Sequence, residues 1–159
     1  MQRLEIPYSY LRHLPKKRLP TLNEIITMHY QTYTKLKRNV FALIDIAIKN
    51  QKLQPVDTYP IQVNFYWYVA DRRTDPDNIS AAGRKLILDG LQRSGILSND
   101  GWRQFVSSQD GVMPFREFYA LDKTNPRIVI EIEPVEDNNN AKSDSRPLPR
   151  SSQGETEPA

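Results

Sequence analysis

The stretch from Ile61 to Arg93 constrains the fold more than any other part of the chain. Ile61, Val63, Phe65, Trp67 and Val69 alternate with Gln62, Asn64, Tyr66 and Tyr68, the period of two expected of a strand with one buried face. A charged loop follows at once, Asp71-Arg72-Arg73-Thr74-Asp75-Pro76-Asp77-Asn78. Beyond it Ile79, Ala82, Leu86, Ile87 and Leu91 recur at helical spacing to about Arg93, and Gly95 is placed as a left-handed cap. A strand that passes through a short polar loop into an amphipathic helix has to bury one face of each. The chain must therefore build a helix-on-sheet layer, with the charged loop at the junction.

The other segments complete that layer. Pro7, Pro15 and Pro20 argue for a strand or extended arm at the start. Thr21 followed three residues later by Glu24 has capping-box spacing and predicts a helix start. From about His29 to Gln51, Tyr33, Leu36, Val40, Leu43, Ile44, Ala47 and Ile48 mark one buried helical face. Phe115 to Leu121 and Ile128 to Val135 read as a hairpin across the turn Asp122 to Pro126. The expected class is α/β in the α+β sense, a small mixed sheet packed against two main helices. One domain over residues 1–135 is expected, because 159 residues suffice for one core and not for two. Residues 136–159 are rich in Asn, Ser and Pro with almost nothing apolar, so a disordered tail is expected there.

Composition narrows the chemistry. There is no cysteine and there are two histidines, His13 and His29, which excludes thiolate chemistry and disulfides and argues against a Cys/His zinc site. Any metal has to be held by oxygen. The net charge of +3 divides into −2 for residues 136–159, with five acids and three bases, and +5 for the remainder. Within the first forty residues Arg3, Arg12, Lys16, Lys17, Arg18, Lys35, Lys37 and Arg38 face only Glu5 and Glu24. Such an excess suits a polyanion, although a solvated face has the same composition. No run reaches the length of a membrane span or signal peptide, and a soluble cytoplasmic protein is expected.

Three carboxylates stand out at loop positions beside ordered elements: Asp75 and Asp77 before the second main helix and Asp100 after it. Mg²⁺ takes hard oxygen ligands at roughly 2.1 Å and commonly uses one or two carboxylates, leaving positions for water and phosphate. Pro76 stiffens the link between the first two. Lys85, on the helix that follows, is a candidate for stabilising charge on a phosphoryl group. Each residue also has an ordinary role. Asp77 or Asn78 can cap the helix, Asp100 before Gly101 suits a turn, and Lys85 with Asp89 is an i,i+4 pair.

Three pieces of sequence together resemble a known family. Arg72-Arg73-Thr74-Asp75-Pro76-Asp77-Asn78-Ile79, then Lys85-Leu86-Ile87-Leu88-Asp89-Gly90-Leu91, then Gly95-Ile96-Leu97-Ser98-Asn99-Asp100, are similar to the RusA family of Holliday junction resolvases, often carried by phages and prophages. The resemblance is specific over residues 72–100 and extends more loosely from Thr21 to Val135. It implies a Mg²⁺-dependent endonuclease, with Mn²⁺ as a substitute, that cuts four-way DNA by paired nicks in recombination and repair as a homodimer. It implies metal-binding, catalytic roles for Asp75, Asp77 and Asp100 and an essential cation at Lys85. Contacts with DNA phosphates fall to Lys16, Lys17, Arg18, Lys35, Arg38, Arg72, Arg73 and Arg84. Two features depart from the family pattern: the stretch between Asp77 and Lys85 is about one helical turn longer than in the shortest members, which makes Arg84 the alternative cation, and Asn99 stands where the first acid of the later pair is found. A non-catalytic binder of branched DNA and a general flap or structure-selective nuclease are the competing expectations.

Overall fold

The computed structural model describes residues 1–99, 104–105 and 115–135. Strand β1 (Gln2–Pro7) leads through a 3-10 turn (Tyr8–His13) to α1 (Leu22–Thr27) and α2 (Tyr30–Gln51). Strand β2 (Ile61–Val69), helix α3 (Pro76–Arg93), β3 (Phe115–Leu121) and β4 (Arg127–Pro134) follow. The four strands form one mixed sheet in the order β1-β4-β2-β3. The α/β layout expected from the sequence is the one observed, with α1 as a short addition to the two main helices. Among the described residues no helix is long and apolar enough to cross a membrane.

The residues explain the elements. Thr21 and Glu24 form both halves of a capping box at α1, and Lys16 and Arg18 bind the same carboxylate. The helical run does not continue from Thr21 to Gln51 as one piece. It breaks at Met28, and α2 restarts with His29 as its N-cap, whose Nδ1 accepts from the Gln31 amide at 3.3 Å. The buried face of α2 is Leu36, Val40, Ile44 and Ala47, as the periodicity predicts. It packs with Leu86, Ile87 and Leu91 of α3 against one face of the sheet, which contributes Leu4, Ile6, Phe65, Trp67, Ile128 and Ile130. Gly83 lets α3 approach the sheet: a β-carbon there would lie 2.7 Å from the Trp67 ring.

The hairpin expected from residues 115–135 does not form. β2 lies between its two arms, pairing parallel with β3 (Val63 opposite Phe115) and antiparallel with β4 (Phe65 opposite Ile130). The connection Asp122 to Pro126 crosses over the end of β2, where the Asp122 amide donates to the Val69 carbonyl at 2.9 Å. The turn chemistry is local and correct, with Asp122 accepting from the Thr124 and Asn125 amides and from Arg127. A turn of that length spans two strand spacings as readily as one. The apolar face of β2, longer and richer than that of β3, takes the central position.

Candidate functional site

Strands β2 and β3 run parallel, α3 connects them, and the loop from Ala70 to Asp75 lies at their carboxyl ends. Ligand sites in α/β sheets form at this end, where loops and helix N-termini converge. Asp75 is the N-cap of α3 and Pro76 occupies the first helical position. The Asp75 carbonyl accepts from the Asn78 and Ile79 amides, but its side chain makes no capping hydrogen bond. The Asp75 carboxylate is therefore exposed and unused by the helix, and Asp77, in the first turn, is exposed beside it. Asn78 does not cap either. Its Oδ1 accepts from the Asn23 amide at 3.1 Å, tying α1 to the start of α3.

Seven residues along a helix return a side chain to within about 20° of its starting direction, and eight carry it about 80° past. Arg84, not Lys85, thus shares the face of Asp77. Its guanidinium binds Glu117 Oε1 on β3 at 2.9 Å and lies over the Phe115 ring. The other Glu117 oxygen accepts from the Tyr119 hydroxyl at 3.1 Å. Burial pushes the Tyr119 phenol above its ordinary pKa; a hydrogen bond with Ser80 opposes this, and the negative charges of Glu117 and Asp77 add to it. Asp77, Ser80, Arg84, Glu117 and Tyr119 accordingly form one electrostatic neighbourhood between α3 and the sheet edge. Lys85 lies apart and exposed, 3.4 Å from Asp89, which also binds Lys37 at 3.0 Å.

Glu117 and Tyr119 are absent from the sequence reading. The available signal was a charged residue in phase with Phe115, on the helix-facing side of its strand, where β3 pairs with Phe65 and Trp67. A strand taken as one arm of a hairpin gave no reason to look there.

Asp100 lies outside the described residues. The described residues on either side of it, Ser98, Asn99 and Gln104, are held at the opposite end of the sheet from Asp75. The Ser98 amide donates to the Tyr59 hydroxyl, Gln92 Nε2 in the last turn of α3 donates to Asn99 Oδ1, and the Ile61 amide donates to the Gln104 carbonyl. The nine residues of β2 separate that end from the Asp75 loop, about 26 Å over the steps between them at about 3.3 Å each. Among the described residues no three acidic or histidine side chains gather closely enough to share a metal ion.

The cations divide into two groups. Lys16 and Arg18 are committed to Glu24, whose pKa falls from 4.5 to about 2, chiefly through the Arg18 hydrogen bond. Lys17, Lys35, Arg38 and Arg72 are exposed, with no ion pair among the described residues, and Arg73 approaches Asp71 only at 3.8 Å. Arg18 nonetheless lines a recess of about 90 Å³ together with Asp71 and Thr74, which places the basic segment against the loop. A larger recess of about 300 Å³ shares Val69, Asp71, Thr74 and Ile79 with it and is lined further by Asp75 and Tyr119.

No protein-family model matches the chain, and no curated protein matches it either.

Proposed function

We propose that the chain is a metal-dependent endonuclease acting on branched DNA, four-way junctions foremost, as a two-fold homodimer. The observation that carries the reading is the Asp75 carboxylate, at the start of α3 yet free of capping, with Asp77 next to it and arginines on the adjoining loop. A helix start that needed only a cap would use this side chain. The resemblance of residues 72–100 to the RusA family supports the same chemistry.

Asp75 and Asp77 fit a hard divalent ion such as Mg²⁺: both are carboxylates, both are exposed, and Pro76 stiffens the backbone between them. A bound ion of this kind polarises a phosphoryl oxygen and acidifies water. The chain's own part is to hold the scissile phosphate and balance its charge. The α3 N-terminus favours an anion, and Arg84, on the face of Asp77, is better placed than Lys85 to meet developing negative charge. Arg72, Arg73, Lys17, Lys35 and Arg38 are assigned to flanking phosphates, where contacts fix orientation without reading sequence.

Asp100 completes the set from a second copy. Its described neighbours are anchored about a strand's length from Asp75, and a two-fold dimer that sets the Asn99 end of one protomer against the Asp75 end of its partner would bring the third carboxylate to the site. Two such composite sites are related by the axis that also relates opposed strands of a junction.

The test is cleavage of an end-labelled four-way junction with Mg²⁺, with Ca²⁺ and with chelator. Paired nicks that need Mg²⁺ and vanish in Asp75→Asn support the reading. A gel shift without nicks in any metal supports a non-catalytic binder instead, and equal cutting of linear duplex supports a general nuclease.

A further inference from the structure

The recess of about 300 Å³ beside Asp75 is unlike the rest of the charged loop. Its apolar walls are Val69, Ile79, Ala120, Leu121 and the ring of Tyr119, and Asp71, Arg72, Thr74 and Asp75 form its polar side. The volume is at the lower end for ligand sites and suits one planar heterocycle, not a peptide or helix. The Tyr119 ring is a firm wall because its hydroxyl is held by Glu117, which Arg84 fixes in turn. Asp71 Oδ1 accepts from the Arg73 amide at 3.0 Å, but among the described residues Oδ2 has only the Arg73 guanidinium at 3.8 Å, too long for a hydrogen bond. One carboxylate oxygen therefore remains available at the edge of an apolar, aromatic slot.

We propose that this recess takes a single unstacked base of the strand to be cut, one carrying an exocyclic amino group. The inference rests on the nuclease reading above and adds to it a sequence-reading subsite. A phosphate held at Asp75 and Asp77 lies at the mouth of the recess, so the base one sugar away is within reach of it. The base stacks on Tyr119, an interaction open to any base. Asp71 Oδ2 accepts from the amino group of cytosine or adenine, which thymine lacks. Extruding a base is least costly where pairing is already weakened, as it is at a branch point. The slot thereby favours branched over intact duplex DNA as well as one base over another.

The experiment places 5-iodocytosine, which retains the amino group, at the nucleotides flanking the cut, located beforehand with Mg²⁺. Complexes are formed in Ca²⁺, checked by gel shift to be bound and uncut, then irradiated, and the attached residue is identified by mass spectrometry. Attachment to Tyr119 is expected, about tenfold weaker in Tyr119→Leu when normalised to the fraction of junction bound, and weaker with 5-iodouracil than with 5-iodocytosine in wild type but not in Asp71→Ala. Circular dichroism of each variant shows that the fold is retained. Attachment elsewhere, or none at Tyr119 in a complex shown to be bound, overturns the inference and leaves the nuclease reading intact. Absence of any shift with the junction overturns both.

Discussion

Replacing Asp75 by asparagine removes a charge and leaves size, backbone and capping almost untouched, because the side chain makes no capping bond to lose. Asp75→Asn and Asp77→Asn are therefore expected to keep the melting temperature within a few degrees and to retain junction binding, while nicking falls by at least about a hundredfold. A large loss of stability would return Asp75 to a structural role. Glu24 is the opposite case, a carboxylate whose partners are all structural. Its pKa in the fold, about 2, lies below the ordinary 4.5, so its contribution is complete above about pH 4.5 and disappears as the pH falls toward 2. With Lys16 largely exposed and screened, Glu24→Gln is expected to cost about 1–2 kcal/mol in urea unfolding at pH 7, and the difference from wild type should close by about pH 2. At Gly83 the gain in helix propensity from alanine is outweighed by the rigid indole 2.7 Å away, and Gly83→Ala is expected to destabilise by about 1–3 kcal/mol in the same measurement. Local rules exposed the capping box at Thr21 and the carboxylates of the loop. They could not expose Glu117 or Tyr119, whose meaning comes from a helix that lies beside them only after folding.

At the scale of elements, α3 decides which cation serves the site. Along it Lys85 turns toward Asp89 and the α2 side, while Arg84 stays in line with Asp77 and Glu117. Steady-state kinetics on a junction are expected to show kcat lowered about 10²-fold in Arg84→Gln and changed less than about threefold in Lys85→Gln. The reverse order would return the role to the lysine. Periodicity gave α2, α3, β2 and their buried faces because each is a pattern within one segment. The pairing of β3 with β2 was not legible, since partners in a sheet are chosen by competition among strands, and the turn at Asp122 fits either outcome. The break between α1 and α2 was hidden for a related reason: the capping histidine, His29, acts through a ring nitrogen where a hydroxyl or carboxylate is the usual signal.

For the whole molecule, the open question of the sequence was how Asp100 could meet residues separated from it by a helix. The anchors of Ser98, Asn99 and Gln104 hold the described chain on either side of Asp100 at the end of β2 far from Asp75. The proposed two-fold dimer would answer that question with two sites of mixed parentage. The direct measurement is nicking by a mixture of two inactive proteins, Asp75→Asn and Asp100→Asn, unfolded together and refolded at equal concentrations so that protomers exchange. With composite sites, each mixed dimer has one wild-type site and one carrying both substitutions. Nicking of a labelled four-way junction should return to about a quarter of the wild-type level, as single nicks without paired resolution. If the wild type cuts, both variants are silent and their mixture stays silent, each site lies within one chain and the account of this molecule is wrong.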